Sequence, residues 1–297
     1  MKQGAPSATA GWVAAMRGLA PLLPREARLC DDPYGARFGG ELAVRLRRAA
    51  SRRPALAPLF SIAVGPVRRT MLWMQLRTRA LDEIVLDFAR ASGRQLLLLG
   101  AGYDARAWRF SRELEGCRVF EVDHPATQAR KRRLLERMGA PPAPVSFVPF
   151  DFEAMPLAEL PARLASLGHD PGARTLTLWE GVTPYLTARA VGATLGAVRA
   201  LSAPGSLLAF TYVDRELLER PRGAEAAIRR LVARVGEPYR FGLAPAEVAG
   251  FLSERSFRLV KDESHRALAG RLLPPSFTRD LRAARDESRH VALARIL

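Results

Sequence analysis

Seven short apolar runs separated by segments of helical periodicity occupy the chain from residue 94 onward. They are QLLLLG (95–100), RVFEVD (118–123), VSFVPF (145–150), RTLTLWEG (174–181), GSLLAFTYV (205–213), FRLVKDE (257–263) and HVALARI (290–296). Continuous apolar runs of this length suit strands covered on both faces. Strands that alternate with helices imply an α/β fold: a mostly parallel, seven-stranded sheet with helices on both sides.

The intervening segments carry their own signals. In TARAVGATLGAVRALSAPG, Val191, Leu195, Val198 and Leu201 share a face, Thr187 is placed to cap the start, and Pro204-Gly205 stops the helix. HPATQARKRRLLERMG opens with Pro125 and closes at Gly139. In TRALDEIVLDFARASG, Leu81, Val85 and Phe88 align, and Gly93 reads as the stop. Residues 1–93 are helical and arginine-rich, broken by several prolines, and read as a lid segment ahead of a core spanning 94–297. A helical insertion at about 215–251 interrupts the alternation after the fifth strand. In open α/β sheets ligands bind beyond the carboxyl ends of the strands, where both extra segments can cover them.

Composition excludes more than it selects. The 297 residues are 48% hydrophobic, enough for a sizeable core. No apolar run approaches the length of a membrane span. Cys30 and Cys117 have neither metal-ligand nor disulfide-framework spacing, so a reducing, cytoplasmic setting and no metal site are expected. The formal charge of +16 comes mostly from arginine, since Lys2, Lys131 and Lys261 are the only lysines. The arginines are scattered; the densest cluster, RKRRLLER (130–137), reads as the solvated face of a helix. No aromatic platform accompanies it, so no nucleic-acid partner is expected. Oligomeric state is not legible.

The stretch LLLLGAGYDARAWRF carries the chemistry. Gly100 permits a tight turn at a strand end, and Gly102, lacking a side chain, lets a ligand touch the backbone. Asp123 ends the next strand about 20 residues on, where a carboxylate can accept ribose hydroxyls. An adenosine-type ligand follows. Two cofactors fit. Ala105, as a third small position, suits a dinucleotide. Asp104 stands at the helix start, where it can cap; it would repel a pyrophosphate and attract a cationic amino group, which favours S-adenosylmethionine.

The motifs LLLLGAGYDARAWRF, VFEVDHPATQARKRRLL, PFDFE and LWEGVTPYLT resemble the leucine carboxyl methyltransferase family, in particular its bacterial S-adenosylmethionine-dependent O-methyltransferases. The resemblance runs from about Arg77 to Pro204, with echoes at DPYGARF (32–38) and FLSERSFRLV (251–260). It implies a class I methyltransferase, Rossmann-like fold. Arg77 would pair with the methionyl carboxylate, and Gly100 and Gly102 would form the cofactor turn. Asp123 would hold the ribose, and Asp151 and Phe152 would flank the adenine. Glu180 would lie near the methionyl amino group and the transfer site, with Tyr185 beside the substrate. Pro184 departs from the family, which more often has a flexible apolar residue there. The implied acceptor is a carboxylate or hydroxyl of a small or acyl-carrier-bound compound, and secondary metabolism is the expected setting. A nicotinamide-dependent oxidoreductase and a non-catalytic cofactor-binding protein are the alternatives. Trp108 and Trp179 are expected in the core, and His124 in a structural role. No His–Asp pairing stands out among the four histidines, which favours a carboxylate nucleophile that needs no base.

Overall fold

The computed structural model describes residues 5–53, 65–141, 143–152, 154–220, 238–275 and 287–297. Seven strands form one sheet: β1 (Gln95–Leu99), β2 (Arg118–Asp123), β3 (Val145–Pro149), β4 (Thr175–Trp179), β5 (Leu207–Val213), β6 (Phe257–Ser264) and β7 (Arg289–Ile296). Each falls on one of the seven apolar runs. The order is β3-β2-β1-β4-β5-β7-β6. The first five strands are parallel, and β7 runs antiparallel to both its neighbours. The chain leaves β1 toward β2 and β3, then returns to place β4 on the other side of β1. That reversal opens a crevice above the carboxyl ends of β1 and β4.

Both strands at the reversal are buried along their whole length, and successive residues serve opposite faces. Leu96 and Leu98 join a cluster with Leu176, Leu178 and residues of two N-terminal helices, α1 (Ala8–Gly18) and the 26-residue Gly65–Arg90. Leu97 and Leu99 join a second cluster with Phe120, Trp179, Leu208 and the helix Ala188–Ala200. In that helix Val191, Leu195 and Val198 are buried, and the Thr187 hydroxyl accepts the Ala190 N–H at 3.2 Å, as its sequence predicts. The described residues ahead of β1 thus contribute to the same core as the sheet. Of the insertion expected at about 215–251, residues 221–237 lie outside the described residues.

Two local expectations change. The helix Gly65–Arg90 ends in a Schellman motif whose left-handed residue is Ser92 (φ 58°), not Gly93. The Ser92 N–H donates to the Ala89 carbonyl and the Gly93 N–H to that of Phe88, each at 3.0 Å. Glycine is needed at 93 for space, because a Cβ there would strike the Phe88 ring. In the helix Pro125–Arg137, most of the basic cluster faces outward, but Lys131 is fully buried. Its ammonium lies 2.6 Å from Glu121 and over the Trp108 ring. Periodicity could not show this, because the partner carboxylate lies on β2. Trp108 and Trp179 are buried, as expected.

Candidate active site

A cavity of about 900 Å³ lies above the reversal, near the upper end of the range for ligand pockets. Arg77, Gly100, Gly102, Asp104, Asp123, Asp151, Phe152, Glu180 and Tyr185 all line it. Residues named from five separate stretches of sequence therefore meet in one space.

The turn after β1 is built as its glycines require. Gly100 and Gly102 have φ of 66° and 52°, a region costly for other residues. A Cβ on Gly100 would also sit 2.5 Å from a Val182 methyl. The turn is tied to β2 because the Gly102 N–H donates to Asp123, whose other oxygen accepts the His124 N–H at 2.6 Å. Burial raises the Asp123 pKa, and these two N–H groups oppose the shift. An ionised carboxylate offers about four acceptor sites, so two remain for a pair of hydroxyls. At the end of β3, Asp151 and Phe152 face the cavity, and His124 Nε2 lies 3.5 Å from Asp151. His124 also caps its helix, with Nδ1 accepting from the Ala126 N–H at 3.2 Å. His290 Nδ1 lies 3.1 Å from Asp262. The structure thus contains two His–Asp pairs that sequence distance concealed.

Beyond β4, Glu180 sits among arginines. Its Oε1 lies 2.7 Å from Arg77 and its Oε2 2.8 Å from Arg106. Burial disfavours its charge, but the summed attraction of Arg77, Arg106 and Arg17 outweighs that and holds its pKa well below the usual carboxylate range. Burial lowers the Arg77 pKa, with Arg17 and Arg106 adding to the shift and Glu180 opposing it. A guanidinium nonetheless stays charged. Arg77 Nε is buried and has no hydrogen-bond partner among the described residues. Asp104 is held by Arg106, which gives it a backbone N–H at 2.7 Å and a guanidinium N–H. Arg106 also reaches Asp82 at 2.8 Å.

Neither Arg106 nor Arg17 was expected in the site from the sequence. Arg17 is buried on α1, 3.0 Å from Asp32, and donates to the Tyr103 carbonyl at 2.6 Å. It had left a trace: a charge inside the apolar patch AGWVAAMRGLAPLLP needs a partner if that patch is packed. Tyr185 ends the turn Thr183–Tyr185 and packs edge-on against Tyr239, centroids 5.3 Å apart. The Pro184 carbonyl accepts from the N–H groups of Arg240 and Phe241 at 2.6 and 3.2 Å.

A model of the leucine carboxyl methyltransferase family matches residues 10–199. A Streptomyces coelicolor protein provisionally named an S-adenosyl-L-methionine-dependent methyltransferase is 36% identical over 224 residues, covering 73% of this chain and 69% of its own. A Frankia alni protein with the same provisional name is 37% identical over 230 residues, covering 74% and 73%. A Thermobifida fusca crystal structure, provisionally described as a methyltransferase, superposes with a TM-score of 0.61 at 17% identity, over 99% of this chain and 96% of that one. The sheet reversal, the glycine turn and these likenesses define an S-adenosylmethionine-dependent methyltransferase of the class I, Rossmann-like fold. Within that class the chain belongs to the leucine carboxyl methyltransferase family. Membership decides between the two cofactors that the glycine turn left open, against the nicotinamide.

Proposed function

We propose that this enzyme methylates an oxygen, a carboxylate or a hydroxyl, of a small or acyl-carrier-bound acceptor. The observation that carries the cofactor's placement is the Arg77–Glu180 pair with its buried, unpartnered Arg77 Nε. A methionyl end carries a carboxylate and an ammonium side by side, and this pair offers a cation and an anion side by side. In this reading Arg77 binds the carboxylate. Glu180, kept ionised by its arginines, binds the ammonium. Asp104 acts through Arg106, holding it against Glu180. Gly100 and Gly102 form the positive-φ turn against which the nucleoside lies, with Val182 and Ala10 packed where side chains would be; Asp123 holds the ribose, and Asp151 and Phe152 flank the adenine.

When bound by Arg77, Glu180 and Asp123, S-adenosylmethionine would supply a sulfonium-activated methyl group for the acceptor oxygen, with the electron pair of the broken C–S bond left on sulfur. The chain's residues supply position and exclude water, and orientation alone is worth about 7–11 kcal/mol. Tyr185 orients the acceptor, and the first 93 residues act as the lid, since Thr9, Trp12 and Arg17 line the cavity. A carboxylate acceptor is ionised near neutral pH and needs no base, whereas a hydroxyl must give up its proton. No described helix is long and apolar enough to cross a membrane, and Cys30 and Cys117 are buried thiols. The free thiols support a cytoplasmic setting, and a small acceptor is compatible with a role in secondary metabolism.

The test is transfer from a methyl-labelled donor into cell extract, followed by mild base. Base-labile label marks an ester and a carboxyl acceptor; base-stable label on oxygen marks an ether. Label found only on nitrogen or carbon, or no transfer at all, would refute oxygen methylation.

A further inference from the structure

The part of the cavity that the cofactor residues leave over is walled by aromatic rings from two directions. On the N-terminal side, Trp73 precedes Arg77 by four residues on the same helix, about 6 Å along its axis. Trp73 and Trp12 of α1 both line the cavity. Trp12 is 41% exposed, although most tryptophans are well buried. On the other side, Tyr185 and Tyr239 meet edge-on, in a segment tied together by the Pro184 carbonyl. Trp73 packs with the N-terminal core, whereas Leu186 and Phe241, next to the tyrosines, pack with the other. All four rings line the same cavity as the Arg77–Glu180 pair. Charges of both signs also line the cavity, with Arg69, Arg220, Arg240 and Arg289 against Asp214, Glu216 and Glu287.

We propose that the acceptor is a planar aromatic compound bearing its reacting oxygen on or next to the ring, held between Trp12 and Trp73 on one side and Tyr185 and Tyr239 on the other. The proposal rests on the oxygen-methylation reading and narrows it. Ring-lined walls reward a flat π-surface through stacked or edge-on contacts, a gain that an aliphatic chain does not share.

The test is calorimetry on the full chain saturated with S-adenosylhomocysteine. The probes are 2-naphthol, 2-naphthoate, octanoate and an acetylated dipeptide ending in leucine. At least one naphthyl probe should bind about tenfold or more tighter than octanoate and the peptide. Tyr239→Leu and Trp12→Leu should each weaken it about tenfold, with S-adenosylhomocysteine affinity unchanged. Octanoate or peptide binding as well as the naphthyl probes, or both variants binding them like wild type, would overturn the aromatic assignment alone. Failure of S-adenosylhomocysteine to bind would instead remove the cofactor reading, and this proposal with it.

Discussion

Replacing Arg77 by methionine separates its two roles. In the free protein Arg77 is one of two arginines within 3 Å of Glu180, the other being Arg106 at 2.8 Å. Breaking a buried pair costs about 3–5 kcal/mol when the surviving charge has no other partner. Here Glu180 keeps Arg106, and methionine fills the stem's volume, so the stability cost should fall near or below the low end of that range. Cofactor binding has no such reserve, because Arg77 Nε is a buried donor without a hydrogen-bond partner among the described residues. Losing a two-pronged contact to a carboxylate removes two charge-assisted hydrogen bonds, each worth about 1.5–3 kcal/mol. S-adenosylhomocysteine should therefore bind about 100-fold weaker or worse, while thermal unfolding stays cooperative and shifts down by several degrees. Arg77→Lys keeps the charge but not the fork and should fall between wild type and Arg77→Met. The readout is calorimetry beside a thermal melt. A well-folded Arg77→Met protein that binds S-adenosylhomocysteine within threefold of wild type would refute the assignment.

Two further outcomes follow from packing and burial. Ser92→Gly places glycine at the left-handed position after Arg90 and should stabilise by about 1 kcal/mol; Gly93→Ala drives a methyl into Phe88 and should destabilise, both read by urea melts. Burial raises the Glu121 pKa from 4.5 to about 7, with Lys131 opposing. Between those values the folded state binds the extra proton, so this contribution is fully present below about 4.5 and is lost as pH rises through 7, by up to about 3 kcal/mol. Subtracting the pH–stability curve of Glu121→Gln from that of wild type should isolate that slope, and parallel curves would disprove it.

The fold was readable because period and burial agree. β1 and β4 are apolar at every buried position but Gln95, Thr175 and Thr177, and these polar residues did not break the pattern. Helix caps were readable where one side chain decides them, as at Thr187, and misread where the neighbour decides, as at Gly93. In the candidate site, the turn at Gly100 and Gly102 and its neighbour Asp123 were legible as residues that meet at one strand end. The pairings of Arg17 with Asp32 and of Arg106 with Asp82 and Glu180 were not legible, because each depends on separate segments meeting. The same holds for His124 with Asp151, 27 residues apart in sequence, and for Lys131 with Glu121. The direction of β7, antiparallel between β5 and β6, is likewise a property of the assembled sheet.

The account stands on a nucleoside held between the Gly100–Gly102 turn and Asp123. Its most direct test is calorimetric titration of S-adenosylhomocysteine into wild type and Asp123→Ala. Saturable one-to-one binding by wild type, reduced about 100-fold or more in a folded variant, is the predicted result. Equal affinity in the two proteins, or no binding to wild type, would contradict the account.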